Sequence, residues 1–109
     1  PAREGAAHGD EAAAGELTVY GTTAGSRGRT ALDTLAPDYP DLVQTHSGNA
    51  GADDSDFQAF ADLAIPYVYF ETWDDACYHQ PCDDATRIDY AGMSRITQLA
   101  NELVLALAQ

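Results

Sequence analysis

Apolar positions along this chain change their spacing repeatedly, and each change marks an element. Glu16-Leu17-Thr18-Val19-Tyr20 alternates and is rich in β-formers, which predicts a strand. Gly21 to Gly28 is rich in turn residues. From Arg29 to Ala36, the residues Ala31, Leu32 and Leu35 share one face, predicting a short helix that Pro37 stops. Leu42 to His46 reads as a second short strand, and residues 47–54 as a loop by composition. Ser55 is placed to cap the next helix, in which Phe57, Phe60, Ala61 and Ala64 fall on one face. Ile65-Pro66 ends that helix. The apolar run Tyr67-Val68-Tyr69-Phe70 follows, and its unbroken hydrophobicity predicts a buried strand covered on both faces.

A loop from Glu71 to Asp89 comes next. Met93, Ile96, Leu99, Ala100, Leu103 and Leu107 then recur at helical spacing, predicting a long amphipathic helix. Strand, helix, strand, helix, strand, helix is the order of an α/β fold, a layered sheet with flanking helices. Residues 1–15 are alanine, glycine and charge without a sustained apolar period. They read as a flexible lead-in or a truncated boundary, leaving residues 16–109 as the domain. The first residue is Pro1 rather than an initiator methionine, which fits processing or excision from something longer.

Charge narrows the partners. The formal net charge is -13, with 18 acidic residues against five arginines and no lysine. Such a surface repels phosphate backbones and argues against nucleic acid. It attracts cations, including metals and the free amino groups of peptides, although acidity also serves solubility alone. No apolar run approaches the roughly 20 residues of a membrane span.

The densest chemistry lies in Cys77-Tyr78-His79-Gln80-Pro81-Cys82-Asp83. One histidine stands between two cysteines, with a phenol before it and a proline-bearing turn after it. A lone loop histidine is more often solvated than functional. Here its neighbours restrict it, and Asp83 and Asp84 are within reach of its outer ring nitrogen or of nearby amides. Three states of the cysteines compete. Cys77, His79 and Cys82 could ligate zinc, but a structural zinc takes four protein ligands and no second cysteine pair exists. The cysteines could form a small disulfide loop, which needs Cα atoms about 4.4–6.8 Å apart. Both could also simply be reduced; catalytic use of either is disfavoured, since nothing marks it as a low-pKa thiolate.

Several short motifs, in order, resemble the end of the catalytic domain in peptidases of the M28 family. They are Ser55-Asp56, Phe60, Ala64-Ile65-Pro66, Phe70-Glu71-Thr72, Tyr78-His79 and Ile88-Asp89, followed by the last helix. The Cys-Tyr-His-x-x-Cys-Asp form is similar to that of the secreted bacterial aminopeptidases of the family, in which the two cysteines pair. The resemblance implies a zinc aminopeptidase that removes N-terminal residues from peptides and works outside the cell or in the periplasm. It implies that His79 is the last ligand of a two-zinc centre. Tyr78 would bond the oxygen that becomes negative in the tetrahedral intermediate. Phe70, Glu71 and Thr72 would border the substrate side-chain pocket, although strand core and loop explain them as well. Phe57 stands where many members have histidine, and Ala64 where glycine is usual.

The family's other ligands, a histidine, two aspartates and a glutamate, and its glutamate base lie earlier in the chain. Nothing in residues 1–54 matches them. Glu11, Glu16 and His46 have the wrong neighbours, and His8 sits in the lead-in. The expectation is therefore the C-terminal portion of such an enzyme, inactive alone and completed by an N-terminal part. Two other classes compete with it: a non-catalytic α/β binding module of the same fold, and a glutaminyl-cyclase-like acyltransferase.

Overall fold

The computed structural model describes residues 16–47, 55–72 and 77–109; the proposed lead-in, residues 1–15, lies outside them. Three strands form one sheet in the order β2-β1-β3, with β1 at Glu16–Tyr20, β2 at Val43–Ser47 and β3 at Tyr69–Glu71. β1 and β2 run parallel, with Leu17 opposite Gln44 and Val19 opposite His46. β3 runs antiparallel to β1, with Val19 opposite Phe70 and Tyr20 opposite Tyr69. Helix α1, Arg27–Leu35, makes the crossover that a parallel pair requires. Helix α2 spans Phe57–Asp62, and α3 spans Tyr90–Leu107. The result is the expected α/β architecture of a sheet with flanking helices.

Strand alternation decides where the core lies. Leu17 and Val19 point to one face of β1 and are sealed there by Leu32 of α1 and by Leu99 and Leu103 of α3. Phe70 and Val68 close the side of this cluster. The opposite face carries a smaller aromatic group. Tyr20 meets Tyr69 at 5.7 Å between ring centroids, and Phe57 lies 4.8 Å from Tyr69 and 5.3 Å from Tyr67. Gly21 permits this closeness. Its φ is +80°, and a Cβ there would sit 2.3 Å from the Tyr67 carbonyl oxygen.

Three sequence expectations are corrected. Helix α1 begins two residues earlier than its apolar face suggests, because Ser26 Oγ accepts the Arg29 amide and caps it. Pro37 follows the end of helix α1 at Leu35, as expected. It sits early in a 3-10 turn, Ala36–Asp38, where no amide hydrogen is needed. Ser55 is not the cap of α2: Asp56 holds that position without a side-chain bond, and Ser55 contributes its carbonyl to the Gln58 amide. The run Tyr67–Phe70 is half-buried rather than buried, although both of its faces are covered in part. Only Tyr69–Glu71 pairs, along the edge of β1, and every residue of it is half-buried. Pro66 lacks the donor that would extend the ladder. The most buried side chains of the sheet are Leu17 and Val19 of β1, which alternate with exposed Glu16 and half-buried Thr18 and Tyr20.

Helix α2 also ends before Ala64. The Ile65 amide reaches back to the Phe60 carbonyl and the Ala64 amide to that of Ala61, with Ala64 left-handed at φ +57°. This is the paired-bond stop in which glycine is usual. Phe60 is 50% exposed instead of lying on the expected inner face.

The polar side of α3 is tied down by contacts that no periodicity announces. Arg95 makes two 2.7 Å bonds to the Asp41 carboxylate, donates to the Asp38 carbonyl at 3.1 Å, and lies 4.5 Å over the Tyr39 ring. The Tyr39 hydroxyl donates to Glu102. Together these contacts clamp α3 to the connection between α1 and β2. No helix among the described residues is long and apolar enough to cross a membrane.

Candidate functional site

The cysteine–histidine segment folds as two consecutive turns closed by a covalent bond. Cys77 and Cys82 form a disulfide with Cα atoms 5.3 Å apart, which settles the three competing cysteine states. The Gln80 amide donates to the Cys77 carbonyl at 2.8 Å, and the Asp83 amide to the Gln80 carbonyl at 2.9 Å. Cys77 is buried, so one end of the loop is anchored in the protein. Tyr78 and His79 stand outward at its tip, Tyr78 at 50% exposure, with ring centroids 3.8 Å apart. His79 has φ +58°. Such a backbone is uncommon for a side-chain-bearing residue, though histidine tolerates it better than most.

The two aspartates after the loop do not orient the imidazole. Asp84 accepts from the Thr86 amide at 3.0 Å and from the Thr86 hydroxyl, capping the 3-10 turn Ala85–Arg87. That bond holds its carboxyl below the ordinary range. Among the described residues no side-chain hydrogen bond reaches the His79 ring. Asp89 then precedes α3 as its cap residue, without a side-chain bond.

The three pocket candidates separate by strand geometry. Phe70 faces the helices and packs against the core. Glu71 is opposite Thr18 on the other face of the sheet, and half-buried Thr72 follows the end of β3. Residues 73–76, which join β3 to the turn, lie outside the described residues. Two grooves among the described residues flank Pro66 and Tyr67. One, of about 610 Å³, runs between Pro66–Phe70 and Leu103–Leu107, and the other, of about 480 Å³, between Gly21 and α2. Neither is lined by Tyr78 or His79.

His46, set aside on sequence grounds, has a structural bond: its Nδ1 lies 2.9 Å from the Thr22 hydroxyl. Burial, and secondarily the Arg29 guanidinium, push its pKa down. Thr22, one of the most buried residues, also donates to the Val19 carbonyl. Nothing in the sequence flags this pair, because a threonine and a histidine 24 positions apart form no motif.

The fit to zinc can be judged from the donors. Among the described residues no group of three histidine, cysteine or carboxylate side chains converges. The cysteines are consumed by the disulfide, and the Asp84 carboxylate by its cap. A zinc site takes three or four protein donors, so His79 by itself does not make one.

The described residues form an α/β sheet flanked by helices, with tyrosine and histidine displayed on a disulfide-closed turn before the final helix. The family model for peptidase family M28 matches residues 10–104, and the chain belongs to that family. Comparison with curated proteins and with solved structures returned no match. The family's chemistry is hydrolysis of peptides, typically with a metal.

Proposed function

We propose that this chain is the C-terminal part of a zinc-dependent aminopeptidase, carrying one metal ligand, His79, and one transition-state group, Tyr78. The observation that carries the proposal is the outward Tyr78–His79 pair on its disulfide-closed turn, in a chain that matches the M28 family. Imidazole is a good zinc donor, and the His79 ring is exposed and spends no hydrogen bond on the described residues. The remaining donors and the general base come, on this proposal, from an N-terminal part of the catalytic domain.

Tyr78 acts by its own chemistry. When a peptide carbonyl becomes tetrahedral, its oxygen gains charge, and a phenol aimed at that position stabilises the transition state more than the substrate. The acidic surface favours a substrate with a free, cationic amino terminus. Glu71 and Thr72 border the side-chain pocket in this proposal, whereas the packing of Phe70 accounts for that residue as core. A disulfide is at home in the periplasm or outside the cell, which supports a secreted enzyme.

The test uses two proteins and two substrates. The pure 109-residue chain should release no chromophore from an aminoacyl anilide. A protein that also carries the N-terminal part should release it, should lose activity to a chelator, and should spare the N-acetylated substrate. Chelator-sensitive turnover by the 109-residue chain alone would show that the site is complete within it. Cleavage of blocked and free substrates alike would contradict the aminopeptidase assignment.

A further inference from the structure

His79 is held in a conformation that its own side chain does not favour. Its φ of +58° is left-handed, and a residue with a Cβ pays for that backbone unless its surroundings impose it. The surroundings are few. Among the described residues no side-chain hydrogen bond fixes Tyr78 or His79, whose ring centroids lie 3.8 Å apart. What encloses His79 is the turn bond from the Gln80 amide to the Cys77 carbonyl, the following turn bond at Asp83, and the covalent closure from Cys77 to Cys82. Turn bonds at an exposed tip compete with water and are worth little net. The disulfide does not compete, and its Cys77 end is buried.

We propose that the Cys77–Cys82 disulfide is the positioning device for the Tyr78–His79 pair, so that its reduction switches the pair out of its displayed geometry. The inference takes its functional meaning from the aminopeptidase proposal, but its test does not depend on activity. The switching step is two-electron thiol–disulfide exchange with a dithiol. A reductant thiolate attacks the sulfur of Cys82, whose residue is exposed, and the Cys77 thiolate leaves. The second reductant thiol then resolves the mixed disulfide. The protein gains two thiols, and the dithiol becomes a disulfide. Without the closure His79 relaxes to an ordinary negative φ, which carries its imidazole away from the Tyr78 ring and from any metal it would ligate.

Because strain and closure share one equilibrium, the coupling is reciprocal. A residue that resists the left-handed backbone must weaken the disulfide, and one that tolerates it must strengthen it.

The experiment is NMR on the labelled 109-residue chain, oxidised and after treatment with a small dithiol, with Cys77→Ala/Cys82→Ala as a fixed reduced mimic. In the oxidised chain His79 should show the strong intraresidue amide–Hα contact of a positive φ. That contact should vanish on reduction and in the double variant, while the amides of Leu32 and Leu99 keep their shifts. In a glutathione buffer, His79→Val should lower the oxidised-to-reduced ratio about five- to tenfold, and His79→Asn should raise it about threefold. A positive φ that survives reduction would overturn the proposal. So would a ratio that His79 substitutions leave within a factor of two. Reduction that also unfolds α1 and α3 would overturn it as well, because the disulfide would then be supporting the fold and not the turn.

Discussion

Leu17, Val19, Leu32 and Leu99 are at most 1% exposed, whereas Tyr78 is half exposed and the chain from Tyr78 to Thr86 is exposed throughout. The first group is immobilised by packing: a leucine sealed between a strand and two helices has no other low-energy place to be. The second has almost nothing to pack against. Its geometry comes from one covalent bond, two turns and a capping aspartate. A side chain that must meet a substrate cannot be buried, so its precision has to come from the backbone beneath it. The two regions should therefore respond to different perturbations.

The largest expected effect is in the core. Leu99→Ala empties a site sealed by β1 and α1 and should cost about 2–5 kcal/mol, read as a fall in the denaturant midpoint. Removal of the disulfide should cost at most about 2 kcal/mol, since the loop it closes is short. A disulfide effect exceeding that of Leu99→Ala would break the division between the two regions.

A smaller effect, of opposite sign, sharpens the comparison outside both regions. Ala64 is exposed and left-handed at the end of α2, so Ala64→Gly relieves a backbone conflict without opening a cavity. It should raise stability by up to about 1 kcal/mol in thermal melts. A loss of stability would mean that the greater freedom of glycine in the unfolded chain outweighs the relief.

The difference between the regions also explains what could be read in advance. The core was legible because burial leaves a period: two in β1, and 3.6 in α1 and α3. The order of elements and the α/β class follow from those periods. The run Tyr67–Phe70 misled because continuous apolarity was equated with full burial of a strand. Its residues serve two faces, Tyr67 and Tyr69 against Phe57, and Val68 and Phe70 against the core. The Arg95 clamp and the Thr22–His46 pair were illegible because they join residues far apart whose types are ordinary one by one. At the candidate site, Tyr78, His79 and the two cysteines were legible as a motif. The left-handed backbone of His79 was not, since no pattern of residue types encodes a forced φ.

The weakest expected effect is electrostatic. The folded pKa of His46 is lowered by burial, so below about pH 6.5 the unfolded chain binds its proton first. Stability should fall as pH drops from there toward the folded value, and His46→Gln should flatten that part of the profile. The bond from Arg95 lowers the pKa of Asp41, so its contribution is complete above about pH 4 and is lost as pH falls through the folded value. Arg95→Gln should remove that acid limb and leave the His46 limb in place. Denaturant midpoints between pH 7.5 and pH 3 would separate the two.

The central claim is that the exposed turn carries a ligand and a transition-state donor side by side. It is tested most directly by zinc content and turnover of His79→Ala and Tyr78→Phe in a protein that also carries the proposed N-terminal part. His79→Ala should lower bound zinc and reduce both substrate binding and rate. Tyr78→Phe should keep its zinc and lose about 10²–10³-fold in kcat. Full zinc occupancy with normal turnover in His79→Ala, or an unchanged kcat in Tyr78→Phe, would contradict the roles assigned to these two residues.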